Sequence, residues 1–153
     1  MANSDGVDHV MPSTAVSDLH LVREALLGGD LTLAVAKNGK ILFRSNSHGV
    51  SDMLAMIDEL GSLTEGASLA DSVVGRAAAL LCVYSKVVAV YGERMSEGAA
   101  AILKAKDIRY EFGTLVARIL NRQRDDICPF DRAVLGVEDP SLALEKLKAL
   151  KLG

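Results

Sequence analysis

Two apolar runs meet at Asn38-Gly39 in the stretch "LTLAVAKNGKILFRS", and this dipeptide constrains the fold more than any other feature of the chain. A two-residue type I′ turn needs positive φ at both central positions, and Asn followed by Gly meets that need at little steric cost. The stretch therefore predicts a β-hairpin, with strands near 31–36 and 40–45. A hairpin alone is marginal in water, so its apolar face must be covered by further strands or helices.

The rest of the chain supplies those covers. Residues 1–13 are polar and non-periodic and predict a disordered tail ahead of a single domain over 14–153. A helix is expected from Ser13 or Thr14, with Leu19, Val22, Leu26 and Leu27 at helical spacing and Gly28-Gly29 closing it. "GVSDMLAMIDELGSL" reads as a second helix, capped by Ser51 or Asp52, with Leu54, Ile57 and Leu60 on its buried side. "TEGASLADSVVGRAAALLCVYS" reads as a third helix beginning near Asp71, whose carboxylate suits an N-cap. That helix is apolar nearly all round, which predicts a central, covered position. "KVVAVYG" and "RYEFGTLV" read as strands on either side of a helical "SEGAAAILKAKD". A helix is expected from near Cys128, and a last one with Pro140 at or near its first position, where a missing N–H costs nothing. A hairpin followed by alternating strands and helices predicts an α/β fold, a three-layer α/β/α sandwich with a mixed central sheet.

Composition narrows the function classes. The 153 residues suffice for one domain with a single core. Aromatic residues make up only 4% and Trp is absent, so that core must be built from Leu, Val, Ile and Ala. A net charge of −3 argues against a broad nucleic-acid footprint. No apolar run approaches the roughly 18 residues of a membrane span, and the N-terminus lacks the basic start and apolar core of a signal peptide. No membrane partner is expected, and a cytoplasmic location is. In a reducing compartment Cys82 and Cys128 are expected to remain unpaired. With His9, His20 and His48 they form no zinc-ligand spacing, and the two latter histidines read as surface residues. Neither a dinucleotide fingerprint nor a P-loop is present, so no cofactor is expected.

Four short pieces carry a resemblance: "DSVVGRAAALL", "VYGERMSEGAAAIL", "ILNR" and "CPFDRAVLGVEDP". Their order and spacing resemble an archaeal and bacterial family of unknown activity with a cytidine-deaminase-like fold, over roughly residues 18 to 150. The resemblance implies that fold and a site location, but no reaction. A zinc deaminase carries H-x-E at one helix start and P-C-x-x-C at another. Here Gly75 stands at the metal-ligand position and Ala77 at the proton-shuttle position. Cys128 matches the first thiolate, and Asp131 stands where the second would be. The expectation is a protein without zinc and without hydrolytic deamination.

The residues of that implied site have two readings each. Gly75 inside a helix costs about 1 kcal/mol relative to Ala, offset either by close approach of a ligand or by tight helix–sheet packing. Arg76, the only charge between Asp71 and Lys86, is either an anion clamp or a side chain reaching to water or to Asp71. Cys128, followed by Pro129, is either a nucleophile at a helix start or a small residue filling a lost metal site. Asn121 and Arg122 either orient and neutralise a ligand or belong to an ordinary solvated loop. Ser85, Met95 and Ser96 are expected at strand and helix ends near the pocket, with Ser96 equally suited to a plain N-cap. Cys82 reads as core.

Three functions compete. The first is a binding module for a nucleotide-like or other small anionic ligand, held by Asp71, Gly75, Arg76, Asn121 and Arg122. The second is an enzyme of transferase type with Cys128 as nucleophile. The third is a structural protein acting as a homo-oligomer.

Overall fold

The computed structural model describes residues 13–47 and 49–152. Except for Ser13, the expected N-terminal tail lies outside the described residues, as do His9 and His48. Helix α1 (Ser13–Gly28) leads into the hairpin β1 (Leu33–Lys37) and β2 (Lys40–Ser45). Asn38 and Gly39 form its tip at φ 53° and 81°, the left-handed pair that a type I′ turn requires. Then follow α2 (Val50–Leu60), a 3₁₀ turn over Gly61–Thr64, β3 (Ser68–Val74), α3 (Arg76–Ser85), β4 (Ala89–Ser96), α4 (Glu97–Ala105) and β5 (Arg109–Val116). A loop leads to α5 (Pro129–Ala133) and α6 (Pro140–Leu152).

The five strands form one mixed sheet in the order β2-β1-β3-β4-β5. β1 pairs antiparallel with β2 and β3, while β3, β4 and β5 run parallel. Helices on both faces make this a three-layer α/β/α sandwich. Leu19, Val22 and Leu26 of α1 pack against Ala34, Ala36, Ala70 and Ala89, whose small side chains leave room for a close helix, and against Tyr91. The other face carries the larger core, where Leu33, Val35, Leu69 and Val90 meet Met53, Leu54 and Met56 of α2, the buried alanines of α3, and Leu103 of α4. Helix α6 packs on α3 through the same cluster, with Ala143, Leu144 and Leu147. α3 is thus enclosed by α2, α4, α6 and the sheet, as its all-round apolar surface predicts.

The region around Asp71 differs from expectation. It is the central strand β3, and the helix starts five residues later at Arg76. β3 is covered on both faces, so it shows no alternation, and Ala and Ser fill it as readily as β-branched residues do. The second helix has Gly49 at its N-cap without a side-chain hydrogen bond. Its buried apolar residues are Val50, Met53, Leu54 and Met56, while Ile57 and Leu60 lie at the edge of the core. Among the described residues no helix is long and apolar enough to cross a membrane.

Candidate functional site

The C-terminal end of β3 opens onto a cleft of about 570 Å³, bounded by the start of α2, the start of α3, the 119–123 loop and the start of α5. Crevices outside the carboxyl ends of parallel strands are the recurrent ligand sites of open α/β sheets. Three carboxylates line this one: Asp52, Asp71 and Asp131.

Asp71 projects from β3 and is 9% exposed. Its Oδ1 accepts the Val73 N–H at 3.2 Å, which ties it to the irregular end of the strand. Burial raises its pKa to about 7, the charge of Asp52 adds to the rise, and the N–H groups of Val73 and Ser72 oppose it. A carboxyl titrating there can act as donor or acceptor at neutral pH. Asp52 does not cap α2. Its Oδ2 accepts instead from the Thr32 hydroxyl at 3.0 Å, and Thr32 also reaches the Ser47 carbonyl. The carbonyl of Thr32 accepts the Ser72 N–H at 3.0 Å, so the wall of the cleft is stitched across β1, β3 and α2.

Asp131 comes from the first turn of α5 and is 5% exposed. Its Oδ1 accepts the Ala77 N–H at 2.9 Å, closing the N-terminus of α3 from 54 residues away. Gly75, the N-cap of α3, sits directly against this carboxylate. A Cβ at Gly75 would lie 2.8 Å from Asp131 Cγ, so any larger residue would displace the Asp131 carboxylate from its place. That accounts for Gly75 without a ligand: it sits at the helix boundary, and its missing side chain makes room for Asp131. Burial pushes the Asp131 pKa up, while the N–H groups of Ala77 and Arg76 and the Arg76 charge pull it back.

Of the residues expected at the site, Asp71, Gly75, Asn121, Arg122, Cys128 and Pro129 line the cleft. Arg76, Ser85, Met95 and Ser96 do not. The Arg76 stem crosses α4, where a Cβ at Gly98 would lie 3.2 Å from Arg76 Cγ, and its Nε is buried without a hydrogen-bond partner. Ser85 Oγ donates to the Leu81 carbonyl within α3. Met95 is fully buried core, and Ser96 caps α4 by accepting the Ala99 N–H at 3.1 Å. Asn121 lines the cleft but spends its amide on its own loop, donating to Asp125 Oδ1 at 2.9 Å and accepting the Asp125 N–H at 3.2 Å. Arg122 is exposed on the same loop. Cys128 is half-buried, and its N–H donates to the Ile119 carbonyl at 2.9 Å. Cys82 is buried in α3, where desolvation, with a smaller push from Asp71, drives its thiol pKa up. His20 is exposed.

Sequence reasoning did not single out Thr32, Asp52, Ser72 or Phe130 as lining residues, and took Asp131 only as a replaced thiolate. One signal for Asp131 was available. A helix that begins Gly-Arg-Ala, with no acidic residue in its first turn and no side-chain cap of its own, needs a cap from elsewhere in the chain.

The donor set does not fit the zinc of a deaminase. Gly75 and Ala77 offer no ligand atom, and the Asp131 carboxylate is committed to the start of α3. Among the described residues no three His, Cys, Asp or Glu side chains are grouped to hold a metal ion.

A crystal structure of a DUF1893 family protein (TM1506) from Thermotoga maritima is similar to this chain, with a TM-score of 0.81 at 20% identity, covering 96% of this chain and 99% of that one. At that identity the likeness speaks for the fold alone. No curated protein matches the chain. The family model described as TM1506, domain of unknown function (DUF1893), matches residues 21–150. The chain belongs to that family.

Proposed function

We propose that the chain is a metal-free, cytidine-deaminase-like binding protein whose cleft takes a small nucleotide-like ligand. The carrying observation is the convergence of the two segments at which a zinc deaminase bears its motifs. Gly75-Arg76-Ala77 and Cys128-Pro129-Phe130-Asp131 meet across the Ala77–Asp131 hydrogen bond at the edge of the cleft. The hairpin followed by three parallel strands in the order β2-β1-β3-β4-β5 also fits this reading. Asp71 and Asp52 offer acceptors to the amino edge of a base, half-buried Phe130 offers a ring face, and Arg122 offers a charge to a phosphate at the rim.

Thermal unfolding against nucleobases, nucleosides and their 5′-monophosphates tests the reading. A ligand that binds only the folded state raises the melting temperature in proportion to RT ln(1 + [L]/Kd). A saturable rise of several degrees for at least one member is expected, and flat curves across the panel from folded protein would overturn it.

Self-association is a second reading, favoured by β5. It is an edge strand of eight residues, and Phe112 and Leu115 are exposed on it. Long uncovered edges invite pairing with another chain. Light scattering on the full chain is expected to give a dimer or larger species, and a monomer at high concentration would rule this out.

A further inference from the structure

We infer that Asp131 is the chain's own occupant of the anion position at the start of α3, and that it sets ligand specificity by confining any anionic group of the ligand to the Arg122 side of the cleft. The inference rests on the binding reading above and deepens it. The floor then takes a neutral or cationic donor-rich face, such as the amino edge of a base, and refuses phosphate and carboxylate.

The start of a ten-residue helix with free N–H groups attracts anions. α3 has that character and more, because Arg76 adds a positive charge at its first position. The attraction is satisfied within the molecule. The Asp131 carboxylate is buried, bonded to the Ala77 N–H at 2.9 Å, and seated in the hollow left by the absent Gly75 side chain. Both residues line the cleft, so a ligand entering it meets the filled position rather than free N–H groups. Asp52, and Asp71 in its ionised form, make the neighbouring wall repel anions as well. Among the described lining residues Arg122 carries the one positive charge, on the opposing loop. Of the two readings of Arg76, an anion clamp or a side chain reaching to water or to Asp71, this filled position favours the second.

The test compares wild type with Asp131→Ala and the isosteric Asp131→Asn, by thermal unfolding in sodium formate or inorganic phosphate against sodium chloride of equal ionic strength. Formate can refill the emptied carboxylate position, and phosphate reports a larger anion. Wild type is expected to show no saturable response to formate, and to phosphate only the weak response that the rim Arg122 and the general stabilising effect of that salt give. Asp131→Ala is expected to show saturable stabilisation by formate, or formate-dependent recovery of its helical circular dichroism should it not fold in chloride. Asp131→Asn keeps an acceptor for the Ala77 N–H and removes the repulsion, so it is expected to bind phosphate at least tenfold more tightly than wild type. A wild-type anion response equal to that of Asp131→Asn would overturn the inference. So would a folded Asp131→Ala indifferent to formate. The nucleoside panel reads the binding proposal separately: wild type failing there, with the anion gain intact in the variants, would sink that proposal and leave the role of Asp131 standing.

Discussion

The Asp18 carboxylate of α1 accepts the Gly39 N–H at 2.8 Å through Oδ1, and the neighbouring Asn38 N–H at 2.9 Å through Oδ2. Asp18 is only 2% exposed. The first helix thereby holds both N–H groups at the tip of the hairpin, which are left pointing outward when the turn adopts its left-handed pair of conformations.

This clamp makes a stability prediction. Asp18→Ala strands two donors and removes a charge-assisted interaction, at an expected cost of about 2–3 kcal/mol. Asp18→Asn keeps the shape but carries one oxygen where two are used. Its NH₂ group must face one of the two N–H donors, so it should cost about 1–2 kcal/mol rather than nothing. Urea denaturation of the two variants checks both values. Equal stability of Asp18→Asn and wild type would show that one of the two bonds contributes nothing.

A second prediction concerns pH. Asp71 in the unfolded chain ionises near 3.8, but in the fold its pKa is raised to about 7, chiefly by burial. Between those values the folded state holds more protons than the unfolded one, so stability falls as pH rises from about 4 to 7 and then levels off. Asp71→Asn removes this penalty and keeps an oxygen for the Val73 N–H. The variant is expected to match wild type near pH 4 and to exceed it at pH 8 by on the order of 2–4 kcal/mol. Urea midpoints across that range read the effect directly. A variant less stable than wild type at pH 8 would mean that Asp71 is ionised at little cost in the fold.

The same residue shows where the sequence is legible and where it is not. The Asn38-Gly39 hairpin, β5, the start of α6 at Pro140 and the covered α3 follow from local chemistry, because a turn dipeptide, a β-rich run, a proline and an all-round apolar helix each have one cheap solution. Asp71 did not follow. Its strand is buried on both faces, and its Ala and Ser content removes the period-two signal that marks a half-exposed strand. The apolar run then continues across Gly75 into α3 with no other punctuation. The cleft was legible in part, through "NR" and "CPFD" on its loop side. The partners of Asp52 and Asp131 were not, since Thr32 lies 20 residues from the former and Ala77 lies 54 from the latter. Such pairings depend on how the sheet brings the segments together.

The two cysteines give the last prediction, and it bears on the alternative of Cys128 as a nucleophile. Cys82 is sealed in α3, with its thiol held protonated by burial. Cys128 is half-buried in the cleft wall at the head of a helix of only five residues, with Asp131 in its first turn. So short a helix is a weak activating environment for a nucleophile, and among the described lining residues of the cleft no histidine or lysine stands ready to serve as its base. Native protein treated with iodoacetamide is therefore expected to take a single label, at Cys128, no faster than a free thiol does, with Cys82 labelled only after unfolding. Peptide mass spectrometry over a time course separates the two sites. Any ligand that raises the melting temperature by filling the cleft should slow the Cys128 reaction in step with its occupancy, because the thiol and the ligand share one wall. Labelling much faster than a free thiol would instead favour the nucleophile. Labelling untouched by a stabilising ligand would place that ligand outside the cleft.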